Sequence, residues 1–373
     1  MADRLTASMK SRLKISDYSS RSELLDLRQE LSAAREAIKI LTEENTRDEI
    51  EASQEKMSQL QRDYNALKLE LNHTNEVLSN LLSPSKMDIS AEILQRLHVP
   101  NLDIHPVMTG PFMAHSTCSV RDFTHVDFKT ICSELKRPPQ FHRKVWEWVY
   151  LVHQLRKHGV LKPGMRGIGF GVGTEALPSL FASLGVNVLA TDAPPEIGVS
   201  AGWQSTSQFA NNLNDLYQPD IVSRGQFEKH VTYAPCDMNA IDEHFSEYDF
   251  CWSSCCLEHL GSLQKGLDFI ANSVEKTLKL GGVACHTTEL NMSSNDKTIE
   301  DGSCVIYRHR DIEEFLNEMT HRGHKVEQFS VAPDTHSLDS YVDVPPYNHN
   351  PHLKLQLMGY VSTSVGLVIT RGR

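Results

Sequence analysis

The sequence predicts an α/β protein: a mostly parallel sheet with helices on both faces, preceded by a long α-helical coiled coil. Two observations carry this. From about residue 140 to the end, short apolar runs alternate with amphipathic ones, the order that builds a parallel sheet. Ahead of that, residues 24–81 repeat leucines at steps of three and four with no glycine or proline.

The chain is organised around Met165 to Asp192, MRGIGFGVGTEALPSLFASLGVNVLATD. It reads as strand, glycine-rich turn, helix, strand, acidic residue. Gly169, Gly171 and Gly173 alternate over the turn, where a backbone without side chains bends sharply and lets a ligand approach its N–H groups. A helix is expected over about Thr174 to Leu184, with Ala176, Leu177, Leu180, Phe181 and Leu184 on one stripe and Gly185 as its stop. Asn187 to Ala190 returns as a buried strand. Asp192, just past it, suits the two hydroxyls of a ribose.

In chain order, residues 1–20 are polar and expected to be flexible. The coiled coil is placed at 21–83. Its first seam is Leu24, Leu27, Leu31, Ala34, Ile38 and Leu41. Its second is Met57, Leu60, Tyr64, Leu67, Leu71, Leu78 and Leu81, shifted in register. An oligomerising stalk buries this stripe between chains and makes the protein a homo-oligomer. The alternative is a helix folded back as a hairpin on its own domain. Residues 84–139 form a connector or cap, with a short helix near 91–97. Residues 140–373 form the main domain. It opens with a helix over about Phe141 to His158, whose Val145, Trp148, Val149, Val152 and Leu155 share a face. A helix is expected over about Trp203 to Leu216. Strands follow at Val231–Ala234, Tyr248–Ser253, Val283–Thr287, Lys325–Phe329 and Tyr360–Thr370, with a helix over Arg310–Arg322.

Composition narrows the function. A net charge of −11 and a pI near 5.9 argue against general nucleic-acid binding. No apolar run approaches the roughly 20 residues that span a bilayer, and the N-terminus has no signal-peptide core. Eight cysteines without a regular framework suit reduced thiols in a cytoplasm. Cys251, Cys255, Cys256 and His259 lack a C-x-x-C pair, so small core residues explain them better than zinc does.

The glycine turn reads G-x-G-x-G followed by Thr-Glu, where a dinucleotide site wants G-x-G-x-x-G. With Cys236-Asp237-Met238 after strand 3, L-E-H-L after strand 4 and L-K-L-G-G before strand 5, residues 140–373 resemble the class I S-adenosylmethionine-dependent methyltransferases, which have a Rossmann-like seven-stranded sheet. The resemblance implies S-adenosyl-L-methionine as cofactor, with Gly169, Gly171, Gly173, Asp192, Asp237, Met238 and Ser254 around it. It places Asp237 at the adenine amine and Arg143 or Lys144 near the methionine carboxylate. Many members carry an acid two residues before the first glycine. Here Gly167 stands there, and Glu175 is the possible substitute.

Methyl transfer to an alcohol needs in-line alignment and a base. Ligands of open α/β sheets lie beyond the carboxyl ends of the strands. That rule selects Glu258 and His259 after strand 4 and His286, Thr287, Thr288 and Glu289 after strand 5; of these His286, Glu289 and His259 are the expected catalytic residues, and no metal is assigned. A divalent ion on His286, Glu289 and Asp249 is the weaker alternative. The proline-rich stretch with His349, His352 and Lys354 is expected as a loop closing the acceptor site or a plain surface loop. WSSCCLEHLGSL and HTTELN resemble methyltransferases of bacterial glycan assembly, which implies a sugar or glycan hydroxyl as acceptor. The alternatives are a lipid-linked or small aromatic acceptor, or a non-catalytic cofactor-binding scaffold.

Overall fold

The computed structural model describes residues 26, 28–36, 56, 59–65, 67–68, 111–194, 210 and 212–373. The chain divides into two compact units, Met1–Pro84 and Ser85–Arg373. The expected flexible N-terminus, the short helix near 91–97 and most of the helix expected over 203–216 lie outside the described residues. Of that last helix, Leu213–Leu216 is a 3-10 turn capped by Asn212.

The described residues of the first unit are helical. Leu31 and Ala34 of the first heptad run bury themselves in one cluster with Leu67 of the second, and Tyr64 packs against it. The two seams thus meet within one chain. These positions are shielded from water within the chain, and the remaining seam positions, on which the stalk and its alternative differ, lie largely outside the described residues.

The second unit is built on one nine-stranded sheet. Its strands are β1 (Arg166–Phe170), β2 (Asn187–Asp192), β3 (Val231–Pro235), β4 (Tyr248–Ser254), β5 (Leu278–Asn291), β6 (Lys325–Val326), β7 (Val342–Asp343), β8 (Lys354–Leu357) and β9 (Tyr360–Thr370). The order is β3-β2-β1-β4-β5-β9-β8-β7, with β6 also on β9. Strands β3 to β5 along this order are parallel, whereas β9 runs antiparallel to β5, β6 and β8. The expectation of a mostly parallel seven-stranded sheet therefore needs correction to a mixed sheet of nine. The two added strands, β7 and β8, come from the stretch read as a proline-rich loop. They are short, and prolines hid them.

The helices are α1 (Val120–Thr124), α2 (Val126–Glu134), α3 (Arg143–Lys157), α4 (Leu177–Ser183), α5 (Arg224–His230), α6 (Leu263–Asn272) and α7 (His309–His321). Helix α4 starts three residues later than expected, with Pro178 in its first turn. A π-helical turn, Ser273–Thr277, continues α6. The core lies on both faces of the sheet. One face gathers Phe128, Trp146, Tyr150, Phe181, Phe250 and Trp252; the other gathers Ile168, Phe170, Cys251, Phe269 and Ile312. Strand β4 feeds both by alternation, which is why it reads as a continuous apolar run. The described part of the connector belongs to the first of these clusters through Phe123, Phe128, Ile131 and Leu135. Its Asp122 accepts a hydrogen bond from the Trp146 indole at 2.8 Å.

Candidate active site

Strand order reverses between β1 and β4, so the crevice of this sheet opens beyond their carboxyl ends. The glycine turn leaves β1 there. Gly171 and Gly173 have φ of 58° and 51°, a region costly for residues with a Cβ. A Cβ on Gly171 would also lie 2.9 Å from the Cys256 sulfur. Gly169 is different. It is buried, and a Cβ there would stand 2.3 Å from the Trp252 ring. Gly167 meets the Phe250 ring at the same distance. These two glycines make room for aromatic rings of β4, which is reason enough for a residue without a side chain at each position. The same fact explains the missing acid at Gly167, whose side chain would have no space.

The Trp252 indole, lying across Gly169, donates to Glu175 Oε1 at 2.8 Å. Glu175 is buried, and that burial raises its pKa to about 8 despite the indole and Lys144, so the carboxyl is largely protonated at pH 7. Asp192 sits at the end of β2, 2% exposed. Its Oδ1 accepts the Ala193 N–H at 2.8 Å, and Oδ2 accepts those of Gly173 and Ala210 at 3.1 and 3.2 Å. Burial raises its pKa and these amides oppose the rise. A carboxylate offers about four lone-pair directions. Three are used among the described residues, which leaves one for a ribose hydroxyl. Asp237 is half-buried and closes a turn by accepting the Asn239 N–H at 2.9 Å. Met238 lies beside the glycine turn, its sulfur 3.8 Å from that of Cys256.

Next to this turn, where β4 and β5 end under the first turn of α3, lies a buried ionic network. Arg143 Nη1 is 2.6 Å from Glu289 Oε1 and 3.4 Å from Glu147. Lys144 Nζ is 2.8 Å from Glu147 Oε2. Glu147, with no exposed surface, also accepts from Ser364 at 2.5 Å and from Ser254 at 3.3 Å. Burial alone would raise its pKa; Lys144 and Arg143 instead hold it at about 2. Glu289 accepts from Ser362 at 2.5 Å. Because β9 runs antiparallel to β5, Ser362 and Ser364 fall level with Asn291 and Glu289. Arg143 Nε, though buried, has no hydrogen-bond partner among the described residues.

Glu258, selected with His259 at the end of strand 4, was given no catalytic role from the sequence. It lies in a 3-10 turn after β4, 1% exposed, and accepts from Thr288 Oγ1 at 3.1 Å. Its carboxylate, that of Glu289 and the Cys255 sulfur lie within 4.8 Å of one another. Burial raises the Glu258 pKa; neighbouring His259 opposes the rise and Glu289 adds to it. The signal was present in L-E-H-L, where the histidine drew attention from its neighbour.

His286 is placed elsewhere. β5 continues to Asn291, so His286 and Glu289, three residues apart on one strand, face opposite sides of the sheet. His286 is 1% exposed. Its Nδ1 pairs with Ser253 Oγ at 2.7 Å and its Nε2 with Ser273 Oγ at 3.0 Å, against the Phe269 ring. Burial lowers its pKa to about 3. It is a core histidine with both nitrogens occupied, and the expectation of a base at that position is corrected. The alternative metal set falls with it, since Asp249 sits at the start of β4, paired with Lys279 and the Arg166 N–H. His259 is near the cleft, its Nδ1 2.7 Å from the Ser303 carbonyl. Ser254 is turned toward Glu147. Lys354 is ion-paired with Asp334 at 2.6 Å. His349 and His352 gather around His142 at the start of α3.

All eight cysteines are free. No helix among the described residues is long and apolar enough to cross a membrane.

No protein-family model and no curated protein matches this chain. Among solved structures it is similar to a magnesium protoporphyrin IX methyltransferase from Synechocystis PCC 6803 with bound SAH, at 13% identity over 60% of this chain and 81% of that one, TM-score 0.36. A putative S-adenosylmethionine-dependent methyltransferase from Listeria monocytogenes aligns at 13% identity over 60% and 96%, TM-score 0.36. A putative sarcosine dimethylglycine methyltransferase from Galdieria sulphuraria aligns at 14% over 60% and 83%, TM-score 0.34. At these values the likeness assigns neither cofactor nor reaction, and both rest on the residues of the site.

Proposed function

We propose that this chain is an S-adenosylmethionine-dependent methyltransferase whose acceptor is a sugar or glycan hydroxyl. The observation that supports it most is the pairing, at the switch point of one sheet, of a positive-φ glycine turn and Asp192 with a buried carboxylate pair, Glu258 and Glu289. The residues fit the cofactor: Asp192 keeps one acceptor direction for a ribose hydroxyl, Met238 offers an apolar neighbour for a base, and Arg143 carries an unsatisfied buried N–H suited to a carboxylate. Bound there, the cofactor supplies an electrophilic methyl group on a sulfonium.

The chain's own work is to align and to take a proton. Glu258 is the residue best suited to accept the hydroxyl proton, because a carboxyl with a raised pKa is a stronger base than an ordinary one. Glu289, tied to Arg143, orients the site and sustains that raised pKa. His259 opposes the rise and so tunes it. Thr288, Ser362 and Ser364 are buried and hold the carboxylates of Glu258, Glu289 and Glu147 in place; the choice of a sugar over an aromatic or lipid acceptor rests on the sequence resemblance. Self-association through residues 24–81 is not required by this reading.

The test pairs binding with turnover. Calorimetry with S-adenosylhomocysteine should show binding that Asp192→Asn weakens by about 1.5–3 kcal/mol, the contribution of one charge-assisted hydrogen bond. Mass spectrometry of a glycan pool incubated with cofactor should show a methylated product, at a rate cut roughly 10²–10⁴-fold by Glu258→Gln. Tight NAD binding with no affinity for S-adenosylhomocysteine would end the reading. Cofactor binding without any methylated product would leave the scaffold alternative in its place.

A further inference from the structure

We infer that His142, His349 and His352 form a binding site for a divalent first-row transition metal of the zinc class, with Asp343 as its orienting carboxylate. One ring nitrogen from each histidine lies within 4.8 Å of the other two. Tetrahedral zinc with nitrogens at 2.0–2.1 Å needs them about 3.3 Å apart. The nitrogens therefore have to close by up to about 1.5 Å, a distance within the range of side-chain rotation.

The arrangement goes beyond a chance cluster of histidines. Two ligands are fixed by the fold. His142 and His352 face each other in a parallel bridge, with the Arg143 N–H on the His352 carbonyl at 2.9 Å and the His352 N–H on the Phe141 carbonyl at 2.7 Å. Their rings stack with centroids 4.6 Å apart. His352 also has the partner that metal-bound histidines have. Its Nδ1 is 2.6 Å from Asp343 Oδ2, a carboxylate with no exposed surface. That bond puts the proton on Nδ1 and leaves the Nε2 lone pair for an ion. Asp343 further accepts the N–H groups of Asn348 and His349, both at 2.9 Å, and so sets the loop that carries the third ligand. His349 is held at a φ of 62°, uncommon for a residue with a side chain, and its exposed ring turns toward the other two. Strain of this sort persists where surrounding bonds over-determine it.

His142 gives the site its consequence. Its Nδ1 lone pair now accepts the Lys144 N–H at 3.1 Å, capping α3. A neutral ring that accepts there carries its proton on Nε2, so coordination through either nitrogen removes this cap, and occupancy is coupled to the turn that carries Arg143 and Lys144. Three protein ligands leave a fourth position for water or an acceptor oxygen. The site shares no residue with the Cys255, Glu258 and Glu289 group, and its existence does not depend on methyl transfer.

The experiment uses the full chain, freed of metal with chelator and then titrated with Zn²⁺ or Co²⁺. We expect one equivalent of zinc by equilibrium dialysis and elemental analysis. Co²⁺ should give the visible absorption of a four-coordinate nitrogen and oxygen site, without a near-ultraviolet thiolate band. His349→Ala, an exposed position whose loss leaves the fold intact, should abolish the stoichiometric site. Asp343→Asn should weaken it roughly 10–100-fold. Three results would overturn the assignment: no stoichiometric metal in the wild type, an unchanged cobalt spectrum in His349→Ala, or a thiolate band that places the ion at Cys255.

Discussion

Replacing Glu147 by glutamine tests the buried ionic network directly. The carboxylate touches Lys144 at 2.8 Å, Arg143 at 3.4 Å, Ser364 at 2.5 Å and Ser254 at 3.3 Å, with no exposed surface. Its pKa falls from 4.5 to about 2 although burial opposes the fall. At about 1.36 kcal/mol per pH, that difference is worth roughly 3 kcal/mol of folding stability. A folded-state pKa that is depressed gives stability present above the unfolded value near 4.5 and lost as pH falls toward 2. Glu147→Gln takes the carboxylate partner from Lys144 and leaves Arg143 with Glu289 alone, a loss of about 3–5 kcal/mol in buried pairs. Urea unfolding followed by tryptophan fluorescence reports it, since Trp146 and Trp252 lie in the core of this unit. The gap between wild type and variant should be about 3 kcal/mol at pH 7 and should narrow below about pH 4.5. A gap under about 1 kcal/mol, or one that stays constant down to pH 3, would refute the reasoning.

His286→Ala should lower stability by about 2–4 kcal/mol, through lost packing and two buried serines left unpaired, while initial rates in the folded variant stay near wild type. Because its folded pKa lies below 6.5, that histidine's contribution is full above about pH 6.5 and declines toward pH 3, which denaturation across this range would show. Turnover by the wild type should fall with acid at a pH above the ordinary carboxyl range, because Glu258 is the raised group; a rate profile flat down to pH 4 would exclude it as base. Gly169→Ala should destabilise by about 1–3 kcal/mol through the clash with Trp252, visible in thermal melts, and Trp252→Phe should relieve part of it. Deleting residues 1–84 decides what covers the seams, by light scattering: a smaller assembly supports the shared stalk, and an unchanged one means that they are covered within one chain, as Leu31, Ala34 and Leu67 are.

Local pattern determined a great deal by itself. The glycine turn, the buried strands β1, β4 and β9 and the acid after β2 were legible because each depends on a few adjacent residues: alternation, a turn at positive φ, a strand end. What a side chain faces is a different matter, set by register and by segments far off in the chain. His286 and Glu289 looked like partners from their spacing. Only the continuation of β5 to Asn291, pinned by β9, put them on opposite faces, one among core serines and the other on Arg143. Gly169 lacks a side chain for a reason the local sequence does not carry: Trp252, 83 residues later, fills the space beside it. Strands β7 and β8 were hidden because two to four residues broken by proline leave no periodicity, and they hold together through pairing that the chain makes only when folded. The three histidines come from positions 142, 349 and 352, and no spacing rule links the first to the others. Sequence sets what each short stretch prefers to be, while the closing of long loops decides which groups share a desolvated space, and with it their charge and their chemistry.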